Sequence, residues 1–380
     1  MNIDKSRHTK LIASEWDEAK ARYAIEEIYK SAVKDIDVNS EYKGLYMGSG
    51  GVLWGLLSIA RFLGRNVDLD LESTATEIYR NYLNKPDNDK ITPSLPMGEV
   101  GLLLLRYRIN ESKELEDEIY ELVESNIENP TLEFLWGAPG TMLAASFFYD
   151  KTKSERWKRL YLENANFLIA KLKERSDEEL IWEQDMYGKK VTYVGAGHGY
   201  FGNIYSILRS KELLSEADQK FILDHTKDVA KKLAVYDEEG HVNWRPTHPD
   251  IPQAPTLVQW CHGSPGIITS LKYYPKYEGD EDIEELLVKA GELTWKAGPL
   301  NKGIGICHGT DGNGLAFLQL YKRTGDQIWL NRARAYAMHE LSSANYKESE
   351  LNLFTGKLGF ALFLIACIEE TDNFPLIDEL

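Results

Sequence analysis

Apolar positions along this chain fall into two kinds of run. Short runs that are apolar almost throughout, such as Val52-Leu53-Trp54-Gly55-Leu56-Leu57, Leu102–Leu105 and Thr141–Ala145, each follow a Gly-x-x-Gly unit. The first glycines of these units stand at 48, 98, 137, 199, 263, 309 and 356, at intervals of 50, 39, 62, 64, 46 and 47 residues. Between them lie longer, charge-laced amphipathic runs: Glu111–Asn126, Glu155–Lys173, Glu216–Val235, Asp280–Ala297 and Gln327–Leu341. Seven returns of one signal mark an internal repeat. A helix that is apolar all round must be buried, whereas a half-polar one faces water on one side. The pattern therefore predicts an all-α chain: an α/α toroid of about seven inner and seven outer helices, in one domain over residues 1–380. The glycines would serve tight turns and close backbone approach where each inner helix begins.

Ahead of the first repeat, residues 12–33 read as an amphipathic helix. Two stripes compete for its buried side: Ile12, Trp16, Ala19 and Tyr23, or Ala21, Ile25, Ile28 and Ala32. Two intervals between repeats are long. Ser176–Gly197 suggests a short hairpin through Tyr187-Gly188-Lys189. Glu238–Trp260 carries Pro246, Pro249, Pro252 and Pro255 at every third residue, which favours an extended polyproline II path. Long ordered loops of this kind often cover a functional site.

With 380 residues, the chain buries a sizeable core without help from disulfides or a metal. A net charge of −16 argues against a nucleic-acid partner, which needs a basic surface. The polar start Met1–His8 has no apolar signal region, and the apolar run Leu358–Ile368 is too short to cross a bilayer. No transmembrane segment and a cytoplasmic location are expected. Three cysteines are too few for a secreted disulfide framework.

Two of those cysteines share one frame, Trp260-Cys261-His262-Gly263 and Ile306-Cys307-His308-Gly309, at the openings of two successive inner helices. Zinc prefers thiolate and imidazole ligands, and a catalytic zinc keeps three protein ligands and one open position. Cys261, Cys307 and one histidine supply such a set. The repeat makes His262 and His308 equivalent, so the spacing leaves both open as the nitrogen ligand. A single Cys-His pair would read as an ordinary core cysteine beside a helix-start histidine; the matched pair favours a metal. Cys367, inside an apolar run, reads as a small buried hydrophobe.

These frames, the Gly195-Ala196-Gly197-His198-Gly199 stretch and the seven Gly-x-x-Gly units together resemble the lanthionine synthetase C-like (LanC-like) family, over about residues 45–370. Leu257–Gly263 and Lys302–Cys307 are more similar to the eukaryotic-type members than to the classical bacterial lantibiotic cyclases. The resemblance implies an α/α toroid and zinc held by Cys261, Cys307 and His308. It further implies acid–base work by His198 and Glu133, with His262 in support of a ligand. Lys302 resembles a lysine of the glutathione-binding members. The classical cyclases carry an arginine four residues before the first zinc cysteine; Leu257 stands there in this chain, and Arg245 is the candidate substitute.

The implied activity is zinc-dependent addition of a thiol to dehydroalanine or dehydrobutyrine in a dehydrated peptide or protein. The thiol would come from the same peptide, giving lanthionine-type rings, or from glutathione, giving an adduct. An alternative is a non-catalytic, zinc-containing protein that binds glutathione or a peptide. Prenyltransferase β-subunits and glycosidases share toroidal architectures. The paired Cys-His-Gly frames argue against the first, and no facing carboxylate pair points to the second.

Overall fold

The computed structural model describes residues 1, 3–176, 178–186, 188–250, 256–276, 282–343 and 345–379. From the N-terminus come α1 (Glu18–Asp35), α2 (Ser49–Leu63), α3 (Leu71–Asn84), α4 (Glu99–Ile109) and α5 (Lys113–Ser125). Next are α6 (Ala138–Thr152), α7 (Glu155–Lys173), the hairpin β1 (Gln184–Met186) and β2 (Lys189–Val191), α8 (Tyr200–Leu208) and α9 (Glu216–Lys232). A second hairpin, β3 (Ala234–Tyr236) and β4 (Val242–Trp244), precedes α10 (Ser264–Ser270) and α11 (Asp282–Ala297). The chain ends with α12 (Thr310–Thr324), α13 (Gln327–Ser342), the single turn α14 (Asn345–Glu348) and α15 (Lys357–Glu369).

Two compact units result, one of Met1–Lys5 with Tyr120–Ala297 and one of Ser6–Ile119 with Gly298–Leu380. In the first, α8 packs against both α6 and α10, while α7 and α11 lie against α6 and α10. In the second, α2 touches α4 on one side and α15 on the other, and α15 also meets α12. The first and last repeats are thus spatial neighbours. Burial follows the two kinds of run. In α12 every residue from Thr310 to Leu320 is buried, whereas α3 buries only Ala75, Ile78, Tyr79 and Tyr82, the i, i+3, i+4, i+7 stripe of a helix with one wet face.

Seven helices (α2, α4, α6, α8, α10, α12 and α15) begin directly after the first glycine of a Gly-x-x-Gly unit, which serves as N-cap. In α10 the Asn243 side chain caps, accepting the Ser264 amide; the glycine N-caps have no side chain with which to cap the other helices. A wound loop does so instead: the amides of Ser49, Glu99, Tyr200, Thr310 and Lys357 donate to the carbonyls of Tyr42, Thr92, Tyr193, Gly303 and Glu350. Helix-start N–H groups that would otherwise be orphaned are satisfied this way. The winding also presses a carbonyl against the second glycine of the unit. A Cβ on Gly101 would stand 1.9 Å from the Leu95 oxygen, and one on Gly266 would stand 1.8 Å from the Trp260 oxygen. Only a hydrogen fits.

The N-terminal helix starts at Glu18 rather than Ile12, because Asp17 caps it by accepting from the Lys20 amide. Ile12 instead donates its amide to His339 Nδ1, and Trp16 lies under Arg334. Of the two candidate stripes, Ala21, Ile25, Ile28 and Ala32 are buried, while Ile12 and Tyr23 are exposed. The expected hairpin is present, with Met186 opposite Lys189; Tyr187 lies outside the described residues. Pro246 belongs to a short antiparallel pairing with the other long interval, through Val194 N–H to Pro246 O and His248 N–H to Thr192 O. Pro252 and Pro255 also lie outside the described residues. Among the described residues, no helix is long and apolar enough to cross a membrane.

A Gly101→Ala substitution places a methyl against a backbone carbonyl that cannot rotate away. Urea unfolding is expected to show a loss of about 1–3 kcal/mol, the usual cost of forcing an extra carbon into a packed interior.

Candidate metal and acid–base site

In the first unit, the loops that open α6, α8 and α10 carry Glu133, His198 and the pair Cys261–His262. The glycines of Gly195-Ala196-Gly197 let two of these loops touch: the Gly197 amide donates to the Cys261 carbonyl, and a Cβ on Gly195 would overlap that same oxygen. Glu133 is wholly buried. Its carboxylate accepts the Leu135 amide at 3.0 Å and the Trp136 amide at 2.5 Å, which locks it at the start of the α6 turn. Oε2 also accepts His198 Nδ1–H at 2.9 Å, leaving Nε2 as the nitrogen that can meet a substrate. Burial by itself disfavours the imidazolium. The hydrogen bond and charge of Glu133, with the negative charge of Cys261 added, outweigh that and raise His198 above the ordinary histidine range.

His262 lies with its ring 6.2 Å from that of His198 and nearly parallel to it, and Tyr193 sits against both rings. The buried Gln259 donates Nε2–H to Cys261 Sγ at 2.9 Å, which treats the sulfur as an acceptor. Arg245 forms an ion pair with Asp250 at 2.8 Å and is held at the loop surface.

In the second unit, the loop that opens α12 carries Lys302, Cys307 and His308. Cys307 is buried, its amide bonded to the Phe354 carbonyl, and its sulfur lies 3.7 Å from His308 Nε2. A cavity of about 250 Å³ opens beside them, lined by Lys302, Ile304, Gly305, His308, Gly309 and Thr355. Lys302 is exposed at its edge.

Cys261 in the first unit, and Cys307 with His308 in the second, each supply one candidate ligand atom. Two thiolates and an imidazole are a soft, nitrogen–sulfur donor set of the kind zinc takes, one short of a closed tetrahedron. The residues fit such an ion.

The site and helix pattern define a class: all-helical proteins in which cysteine and histidine at inner-helix openings could hold a metal. The chain belongs to the lanthionine synthetase C-like protein family, whose description matches residues 39–379. It is 32% identical over 244 residues to the glutathione S-transferase LANCL1 of Danio rerio, covering 61% of this chain and 58% of that protein. It is 33% identical over 191 residues to the LanC-like protein GCL1 of Arabidopsis thaliana, covering 48% of this chain and 42% of that one. The chain thus aligns with about half the length of these eukaryotic relatives. Among solved structures it superposes on nisin cyclase with a TM-score of 0.62 at 16% identity, covering 93% of this chain and 95% of that one. That likeness shows the fold, an α/α toroid.

Three residues of these loops escaped sequence reasoning. Gln259 and Tyr193 carried no assigned role, although Gln259 lies in the Leu257–Gly263 stretch, two positions before Cys261. Asp311 lies inside a Gly-x-x-Gly unit of which only the glycines carry the repeat pattern. It is fully buried near the buried Glu340 of α13. Burial, and then the like charge of Glu340, push Asp311 well above the usual carboxyl range. Burial pushes Glu340 up to about 7, partly offset by hydrogen bonds from Thr310 and Ser343.

The sign of the resulting pH effect follows. A carboxyl whose folded pKa is raised binds a proton that the unfolded chain has already released. Its contribution to stability is full below the free value of about 4.3 and is lost as pH rises through about 7. In urea unfolding between pH 5 and 8, the wild type should lose stability with rising pH relative to Glu340→Gln. Parallel curves for the two proteins would contradict the assignment.

Proposed function

We propose that this chain is a zinc-dependent enzyme that adds a thiol to dehydroalanine or dehydrobutyrine side chains of a peptide or protein, forming a thioether. The observation that carries this reading is the repeated Cys-His-Gly frame of Cys261 and Cys307, each opening a buried helix, with an ion-paired histidine, His198, in the loop that abuts Cys261. Family membership supports it, as does the name of one relative, a glutathione S-transferase.

Zinc bound by Cys261, Cys307 and His308 would hold an incoming thiol as its thiolate, the nucleophilic form. Addition forms a bond from sulfur to the β-carbon, and the alkene pair moves onto the α-carbon and its carbonyl. His198, kept protonated by Glu133, then delivers a proton from Nε2 to the α-carbon. Glu133 is fixed by two backbone amides, so it aims the imidazole and does not itself meet the substrate. His262, beside the His198 ring, narrows the space on that side.

Glutathione is the favoured thiol. Lys302 is exposed at the edge of the His308 cavity and can pair with a carboxylate of the tripeptide. Arg245 would first have to leave Asp250. With Leu257 where the classical cyclases place an arginine, the site suits adduct formation better than ring closure.

Mass spectrometry of a dehydroalanine peptide incubated with zinc-loaded protein and glutathione tests this. The expected product is a zinc-dependent glutathione adduct. Cys307→Ala should lose both zinc and turnover. His198→Asn and Glu133→Gln should keep zinc yet slow the reaction by about 100-fold or more, the range of a general acid. A wild-type protein that binds zinc and glutathione but forms no thioether, with glutathione or within a cysteine-bearing peptide, would instead be a binding protein.

A further inference from the structure

The loop that delivers Cys307 and His308 is held from within by one buried carboxyl group. Asp311 is the second residue of α12, and its Oδ2 accepts the Gly305 N–H at 2.6 Å. Gly305 stands two residues before Cys307, at φ +130°, a conformation that side chains rarely adopt. Its own carbonyl accepts the Gly312 amide, so Gly305 is gripped on both sides by the first turn of α12. Thr310 anchors the other end of the loop by accepting the Leu300 amide at 3.1 Å.

An acid in the first turn of a helix commonly serves the helix itself, through its free amides and dipole. Asp311 does not: its hydrogen bond goes to the preceding loop. Stability does not account for it either. The group is removed from water, its other oxygen has no hydrogen-bond partner among the described residues, and its charged neighbour is another carboxyl, Glu340. Burying a polar group so incompletely satisfied costs stability, which an apolar residue of similar shape would recover.

We infer that Asp311 is the positioning residue of the metal-bearing loop: by fixing Gly305 it sets where Cys307 Sγ and the His308 ring point. The inference rests on the reading that Cys261, Cys307 and His308 hold zinc. Residues that orient metal ligands through hydrogen bonds are worth about 10–100-fold in affinity.

The test uses full-length protein, with zinc affinity from competition against a chromophoric chelator and the visible spectrum of the cobalt(II)-substituted form. Asp311→Asn keeps an acceptor for Gly305 and should bind zinc close to wild type with the same cobalt bands. Asp311→Ala and Asp311→Leu remove it and should weaken zinc by about 10–100-fold with altered thiolate–cobalt bands. Leu fills the space that Ala empties, so its stability in urea should hold even where the alanine variant folds poorly. Wild-type affinity and bands in the leucine variant would overturn the inference and leave the zinc site standing. Equal damage in Asn and Leu would also overturn it. A wild-type protein that takes up no zinc would remove both.

Discussion

A carbonyl oxygen pressed against the α-carbon of a glycine is the contact on which this structure depends. It recurs at Gly51, Gly101, Gly202, Gly266 and Gly359, in each case from the residue six positions earlier. The loop can wind that tightly only because the glycine has no Cβ. In five of the seven buried helices the winding lets a backbone carbonyl, not a side chain, satisfy the first amide. It frees the residues just ahead of each helix from capping duty. Those are the positions of Glu133, His198, Cys261, Cys307 and His308.

The chemistry of the loops follows from where they lie. Each opens onto the start of a buried helix, where backbone amides favour negative charge. Glu133 uses the Leu135 and Trp136 amides, in the turn just ahead of α6, to remain fixed in a fully buried place, and it spends its third hydrogen bond on His198. Without that partner, burial would push the imidazole toward its neutral form. The Gln259 amide turned toward Cys261 Sγ belongs to the same logic, a donor prepared for a negatively charged sulfur. Asp311 shows the opposite case. It lies deep, beside another carboxyl, and is held up in pKa by its surroundings, so its use is to place the loop and not to carry charge.

Much of the fold was legible because burial is written twice in the chain. All-apolar runs behind glycine pairs became the buried helices, and amphipathic runs became the half-exposed ones, with α7 spanning the expected residues Glu155–Lys173. The family resemblance was legible in the two Cys-His-Gly frames. Periodicity alone misjudged the start of α1, since Ile12 and Trp16 fit a helical stripe but are bound to the His339 and Arg334 side chains of a distant helix. It also could not show that the two long intervals pair with each other through Val194 and Pro246.

The sequence by itself determined the number of repeats, the glycines that start them and the residue types available for chemistry, because these depend on local pattern and on side-chain size. Tertiary structure alone decided which groups meet. His262 and His308 are equivalent in the repeat, yet the His262 ring lies beside His198 in the first unit, while His308 Nε2 faces the Cys307 sulfur in the second. Glu133 finds His198 across 65 positions of sequence, and Arg245 is taken up by Asp250. Such pairings depend on the directions in which separate loops leave their helices. That geometry is set by packing between repeats, which no single repeat encodes.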